Sequence, residues 1–250
     1  MPARLPHGST WEDREHAVHR QAWQYHSDEM ALADDLLSHL MHGFRELEAV
    51  KSPDEAQELT MLLVGGAANF LRSAHNLALD GYYVQALSLA RNAYEYWLAG
   101  VWLSSRPRNA AKLKEESVAW PTPSRMRRAL AAALAQDASE DEALGPALGE
   151  IFHDLSRFTY PSPASVSGAL DSKGTLRSGP FYQRRRLLTF LDLAYETATL
   201  LHRLLAQSFP SLRDSEWSHR SRDLAAKVTA WAARQAAAGE EGGQAHPSPR

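Results

Sequence analysis

From Pro53 to Ser105 apolar residues recur at steps of three and four, with one interruption at Asp80-Gly81. That period belongs to helices, so two helices are expected, at about 53–79 and 82–105. The first carries Leu63, Ala67, Phe70, Ala74 and Leu77 on one face and Val64, Ala68 and Leu71 on a second. A helix apolar on most sides is a central one, and Gly65-Gly66 lets a neighbour approach it closely. The second repeats the pattern through Leu87, Ala90, Tyr94, Trp97, Leu98, Val101 and Trp102. No strand alternation of useful length and no internal repeat appears anywhere. The chain therefore reads as all-α, a single multi-helix bundle of about seven or eight helices.

Capping signals place the remaining elements. Ser9 with Glu12, and Ser52-Pro53-Asp54-Glu55, fit capping boxes, the latter with Pro at the first helical position. A first helix is expected from about 11 to 50, breaking near Ser27, with Ala33, Leu36, Leu40, Phe44 and Leu47 as its core stripe. Pro107 bounds the third helix. Short helices follow near 108–118 and 123–136, a turn opens at Ser139 with Glu142, and Pro146 restarts a helix to about Phe158. A long helix spans about 181–208 through Leu187, Leu191, Ala194, Ala198, Leu201 and Leu205. The last runs from Pro210 to about 237, packing through Trp217, Leu224, Val228 and Trp231. Residues 1–9 and 239–250 lack periodicity and are expected to be disordered, leaving 10–238 as one helical domain. Its one long loop, 161–179, is rich in Ser, Gly and Pro and has the length of a lid or binding loop.

Composition narrows the chemistry. The absence of cysteine removes disulfides, thiolate nucleophiles, Cys-based zinc sites and iron–sulfur clusters. A net charge of −3 gives no global attraction to nucleic acid or an anionic membrane. The most apolar run, Leu59 to Leu71, is shorter than the ~20 residues that a membrane span needs, and Met1 to Thr10 has no apolar stretch of a secretory signal. A cytoplasmic location is expected, without membrane association and without cofactor or metal.

One polar pair stands inside the third helix. At about 100° per residue, Arg91 falls in the apolar stripe between Leu98 and Trp102, and Glu95 sits one turn on at its edge. A charge on a core-facing surface needs a partner, and i,i+4 spacing lets each serve the other. His75, on the second apolar face of the preceding helix, is a third candidate member. The pair reads either as a structural ion pair or as the lining of a polar site.

The stretch Ser73-Ala74-His75-Asn76-Leu77-Ala78-Leu79-Asp80-Gly81, followed by Ala86, Leu89, Arg91 and Glu95, resembles a bacterial all-helical family of unknown function. That family has an Ala/Leu-rich helix, a Gly turn and then Ala-x-x-Leu-x-Arg-x-x-x-Glu. Downstream it has Leu-Ser, an aromatic residue and a His-Pro-Ser run. The matching stretch here is Leu155-Ser156-Arg157-Phe158-Thr159-Tyr160-Pro161-Ser162, with Tyr160 where the family usually has His. The resemblance covers roughly residues 60–165. It implies that Arg91, Glu95 and the Tyr160 segment converge, and it brings no assigned reaction.

Sharper motifs carry less. Arg91-Asn92 begins the Arg-Asn-x-x-x-His signature of helical defence ribonucleases, but residue 96 is Tyr, which removes the general acid/base. Arg14 to His19 and Arg213 to His219 fit only looser spacings. Two Glu-x-x-His motifs, Glu150/His153 and Glu216/His219, follow Glu95 and Glu196 in the order of four-helix di-iron proteins. Both lie off the apolar stripes of their helices, whereas di-iron ligands must project inward. Two basic clusters, Arg125/Arg127/Arg128 and Arg184-Arg185-Arg186, sit near helix starts and are candidate anion sites or solvated faces. Aromatic interleaving beside them is limited to Phe181 and Tyr182. Ser172-Lys173-Gly174-Thr175 lacks the context of a phosphate loop.

The resulting expectation is a binding or regulatory module with a polar pocket around Arg91 and Glu95. A phosphodiester-acting hydrolase or ribonuclease, with Glu95 as base and arginines as stabilisers, is the enzyme alternative. A di-iron bundle is the remaining one. The partner is unknown: a homodimer is compatible with this reading, and nucleic acid is permitted but not favoured.

Overall fold

The computed structural model describes residues 10–48, 52–116, 118–136, 150, 153, 155–156 and 179–243. Among the described residues there are eight α-helices, one 3-10 turn and no strand. The fold is all-α, as the apolar periodicity requires.

Helix α1 (Trp11–Leu47) is capped one residue later than expected: the Thr10 hydroxyl accepts from Asp13 N–H, and the Asp13 carboxylate accepts from Thr10 N–H. His26, with φ −141° and ψ 36°, breaks the helical geometry beside the anticipated Ser27. Its Nε2 lies 2.9 Å from the Tyr182 hydroxyl. Helix α2 (Glu55–Leu79) begins on Asp54, which exchanges capping bonds with Gln57, so Pro53 lies outside the helix rather than at its first position. A carboxylate at the cap satisfies a free N–H, and it takes the capping position ahead of Ser52.

The turn into α3 (Tyr83–Ser104) is a Schellman closure: Tyr82 N–H donates to Leu77 C=O and Gly81 N–H to Ala78 C=O. Gly81 has φ +89°, and a Cβ there would meet the backbone of Phe181 at 2.8 Å. Both conditions demand glycine. Antiparallel packing of α2 on α3 seats Tyr96 over Gly66, where a Cβ would lie 2.6 Å from the ring. The expected helix near 108–118 is a 3-10 turn, Pro107–Asn109, followed by the short α4 (Ala110–Lys114). Helix α5 (Pro123–Gln136) then packs on α3.

Helix α6 (Arg184–Ser208) starts later than expected, because Gln183 is extended and the segment before it docks on Gly81 through Phe181 and on Tyr83 through Gln183. It runs parallel to α3, with Gln183 N–H donating to the Tyr83 hydroxyl at one end and Leu204 meeting Gly100 at the other. It also packs on α1 and α2. After α7 (Pro210–Arg213), α8 (Glu216–Gly243) closes the bundle through buried Trp217, Leu224 and Trp231. Residues 239–243 are helical, a correction to the tail expected there, since Ala236 to Ala238 and Glu240-Glu241 are good helix formers. The turn expected at Ser139 with Glu142, the segment Arg157 to Tyr160, the loop at 161–178 and the ends at 1–9 and 244–250 lie outside the described residues. No described helix is long and apolar enough to cross a membrane.

Candidate functional site

Helix α3 lies between α2, α5 and α6, so nearly every side of it is covered. Arg91 projects from its core-facing stripe and is buried, with Nε donating to Glu95 Oε1 at 2.9 Å. The Glu95 side chain retains 27% exposure, so the pair reaches the surface through its carboxylate end. Tyr94, in the same stretch, is fully buried, and burial pushes its hydroxyl well above the usual range while the Arg127 guanidinium pulls the other way. Arg127 is therefore the member of its cluster that turns toward α3. It is half-buried, whereas Arg125 and Arg128 are exposed.

His75 is not brought to this pair. Its charged neighbours are Asp34, Arg72 and His19, with Nε2 3.9 Å from Asp34 Oδ1. It lines a small apolar cavity with Ala33, Leu71, Tyr195 and Ala198. The face of α2 that carries His75 is the one that α1 and α6 cover. Burial drives its imidazole down to about 4, with Asp34 opposing. Tyr160 lies outside the described residues, while Leu155 is buried in the core and Ser156 is half-buried.

Glu150, His153, Glu216 and His219 are all exposed, as the apolar stripes of their helices implied. Among the described residues no group of three or more His, Asp or Glu is placed to hold a metal ion. Arg184 and Arg185 are exposed at the start of α6, and Arg186 is half-buried, its guanidinium pulled down by burial. Gln183 supplies no side-chain cap there.

Three groupings escaped the sequence reading. At an open cleft lined by Glu15, His16, His19, Arg20 and Asp80, Trp23 Nε1–H donates to His19 Nε2 at 3.1 Å. That fixes the proton on Nδ1, which faces Asp80 Oδ1 at 3.2 Å. The Tyr82 hydroxyl donates to Glu15 Oε1 at 2.7 Å. His16, His19, Arg20 and Trp23 share a helix face by spacing, the one signal available. With both nitrogens engaged, His19 is a structural bridge and not a free base. At the junction of α1, α6 and α8, His39 stacks on Trp217 at 4.8 Å and meets His202 edge-on. Third, Glu196 on α6 has its carboxyl pushed up to about 7 by burial and then by Asp192, one turn earlier. The Asp192 and Glu196 spacing was visible; the burial was not.

No family model, characterised protein or solved structure matches the chain.

Proposed function

We propose that the chain is a cytoplasmic binding or regulatory module whose polar site is built on Arg91 and Glu95, and that it is akin to the bacterial helical family with the same Arg-x-x-x-Glu helix. The carrying observation is a buried guanidinium held at 2.9 Å by a carboxylate that stays partly open to solvent. Arg127 reaches the same stretch of α3 through Tyr94. A buried guanidinium beside one half-open carboxylate, with the Arg127 guanidinium near the neighbouring Tyr94, suits recognition of a small anion, a phosphate or a carboxylate, because the planar fork matches those oxygens.

Hydrolysis is supported less well. His75 faces α1 and α6, and Glu95 Oε1 is occupied by Arg91. A general base needs reach to the proton it takes, and no described histidine stands beside the pair. The di-iron alternative finds its two Glu-x-x-His motifs at exposed positions.

A thermal-shift screen tests the reading, since a ligand that binds the native state raises its melting point. Inorganic phosphate, nucleotides and small carboxylates are the probes. At least one should stabilise the wild type and leave an Arg91→Met/Glu95→Leu variant unmoved. Turnover of a phosphodiester substrate that is lost on Glu95→Gln would replace this reading with the enzymatic one.

A further inference from the structure

Charge is unevenly spread along the chain. Residues 102–128 carry seven Lys and Arg against two Glu, in a protein whose net charge is −3. Two tryptophans of this stretch meet in the fold. Trp120 is 40% exposed, and its ring meets that of Trp102 at 6.4 Å, which brings the entry to α5 beside the end of α3. The Arg106 guanidinium lies 5.5 Å over the Trp102 ring. Pro121 and Pro123 follow Trp120, and prolines stiffen the segment that presents it.

Arg106 and Arg108, just after the end of α3, and Arg125 and Arg128, in the first turns of α5 after Trp120, are exposed. Among the described residues none of the four forms an ion pair; Arg106 donates to the Ser105 hydroxyl and Arg128 to Ser124 C=O. Lys114, by contrast, is neutralised by Glu58 at 2.6 Å. Exposed arginines that pair with no carboxylate among the described residues, on the segments that flank an open indole, combine an electrostatic track with a stacking surface.

We infer that this patch, Trp102 and Trp120 with Arg106, Arg108, Arg125 and Arg128, binds single-stranded nucleic acid. An unpaired base stacks on the open indole of Trp120, and the arginines take the flanking phosphates. A duplex offers no free base face and is bound more weakly. A membrane surface calls for a broad apolar face, whereas the large exposed apolar side chains of segment 118–122 are Trp120 and Val118 alone. The inference is independent of the Arg91–Glu95 site, and the Arg91→Met/Glu95→Leu variant should bind oligonucleotide like the wild type.

The test is fluorescence anisotropy of the full chain with a labelled single strand of about 20 nucleotides, at about 50 and about 200 mM salt. Trp120→Ala should weaken binding about 10-fold or more, and Trp120→Phe, which restores a ring, should recover most of it. Arg125→Gln/Arg128→Gln should lower the slope of log affinity against log salt by about 1.4, at roughly 0.7 per lost phosphate contact. Circular dichroism and melting point should match the wild type in all three, because the positions are at the surface. Absence of binding at the lower salt overturns the inference. So does binding indifferent to Trp120→Ala, or binding to vesicles of anionic phospholipid with none to the oligonucleotide.

Discussion

The imidazoles of His39 and His202 meet edge to face, with centroids 5.1 Å apart, where α1, α6 and α8 join. His39 Nε2 donates to Trp217 C=O at 2.9 Å, and His202 Nε2 donates to Leu36 C=O at 3.1 Å. These carbonyls hold both rings with the proton on Nε2, and His202 Nδ1 is buried with no hydrogen-bond partner among the described residues. Burial disfavours a charge on either ring.

Acid should therefore loosen this junction. Burial lowers both imidazoles, that of His202 to about 3, against an ordinary value of 6.5. The unfolded chain takes up protons near 6.5 while the folded one refuses them. Their contribution is complete above that pH and is lost as pH falls toward the folded values. His202→Leu should flatten the decline between pH 7 and pH 5 by about 1–2 kcal/mol relative to wild type. Urea unfolding at the two pH values measures it. Equal slopes would mean that His202 is already hydrated.

Glu196 should titrate with the opposite sign. Its folded carboxyl holds a proton up to about 7, whereas the unfolded one releases it near 4.5. Its cost to stability grows as pH rises through that window and stays in place above it. Glu196→Gln should stabilise by about 1–2 kcal/mol at pH 8 and by little at pH 4.5. A gain of the same size at both pH values would point to packing instead of charge.

Two helical glycines should respond in opposite directions to alanine. A Cβ on Gly43 would come within 2.9 Å of the Trp217 ring, and that ring is held by its stack on His39 and by Nε1–H donating to His39 C=O. Overpacking should outweigh the propensity gain, for a net loss of about 1–2 kcal/mol. At Gly65 the nearest atom is Phe44 Cζ at 3.7 Å, an ordinary contact. Gly65→Ala should gain about 0.5–1 kcal/mol. Chemical denaturation of the two variants checks the contrast.

Features internal to one helix were legible in the sequence; features that join helices were not. Arg91 and Glu95 are four residues apart on one helix, so their bond follows from spacing alone. The burial of Leu36, Leu40 and Leu47, and of Val64, Ala67 and Leu71, follows likewise from period. The spacing of Val64, Ala68, Leu71 and His75 puts His75 on an apolar face of α2, but which neighbour covers that face depends on how α1 and α6 pack. His39 with His202, and Trp102 with Trp120, come from distant segments, and no local pattern announces them. Caps slipped by one or two residues because Ser9, Thr10, Ser52 and Asp54 all suit the role, and backbone angles decide among them.

The most direct measurement of the central claim is a double-mutant cycle at Arg91 and Glu95, read by both urea unfolding and phosphate, nucleotide or carboxylate binding. Removing one partner strands the other. Arg91→Met and Glu95→Leu should each cost about 2–4 kcal/mol, toward the lower end for the partly exposed Glu95. The double variant should regain much of that loss, because two apolar side chains replace both charges. The account predicts a folded double variant that no longer responds to the anion stabilising the wild type. A double variant that binds the anion as the wild type does would contradict it and reduce the pair to scaffold.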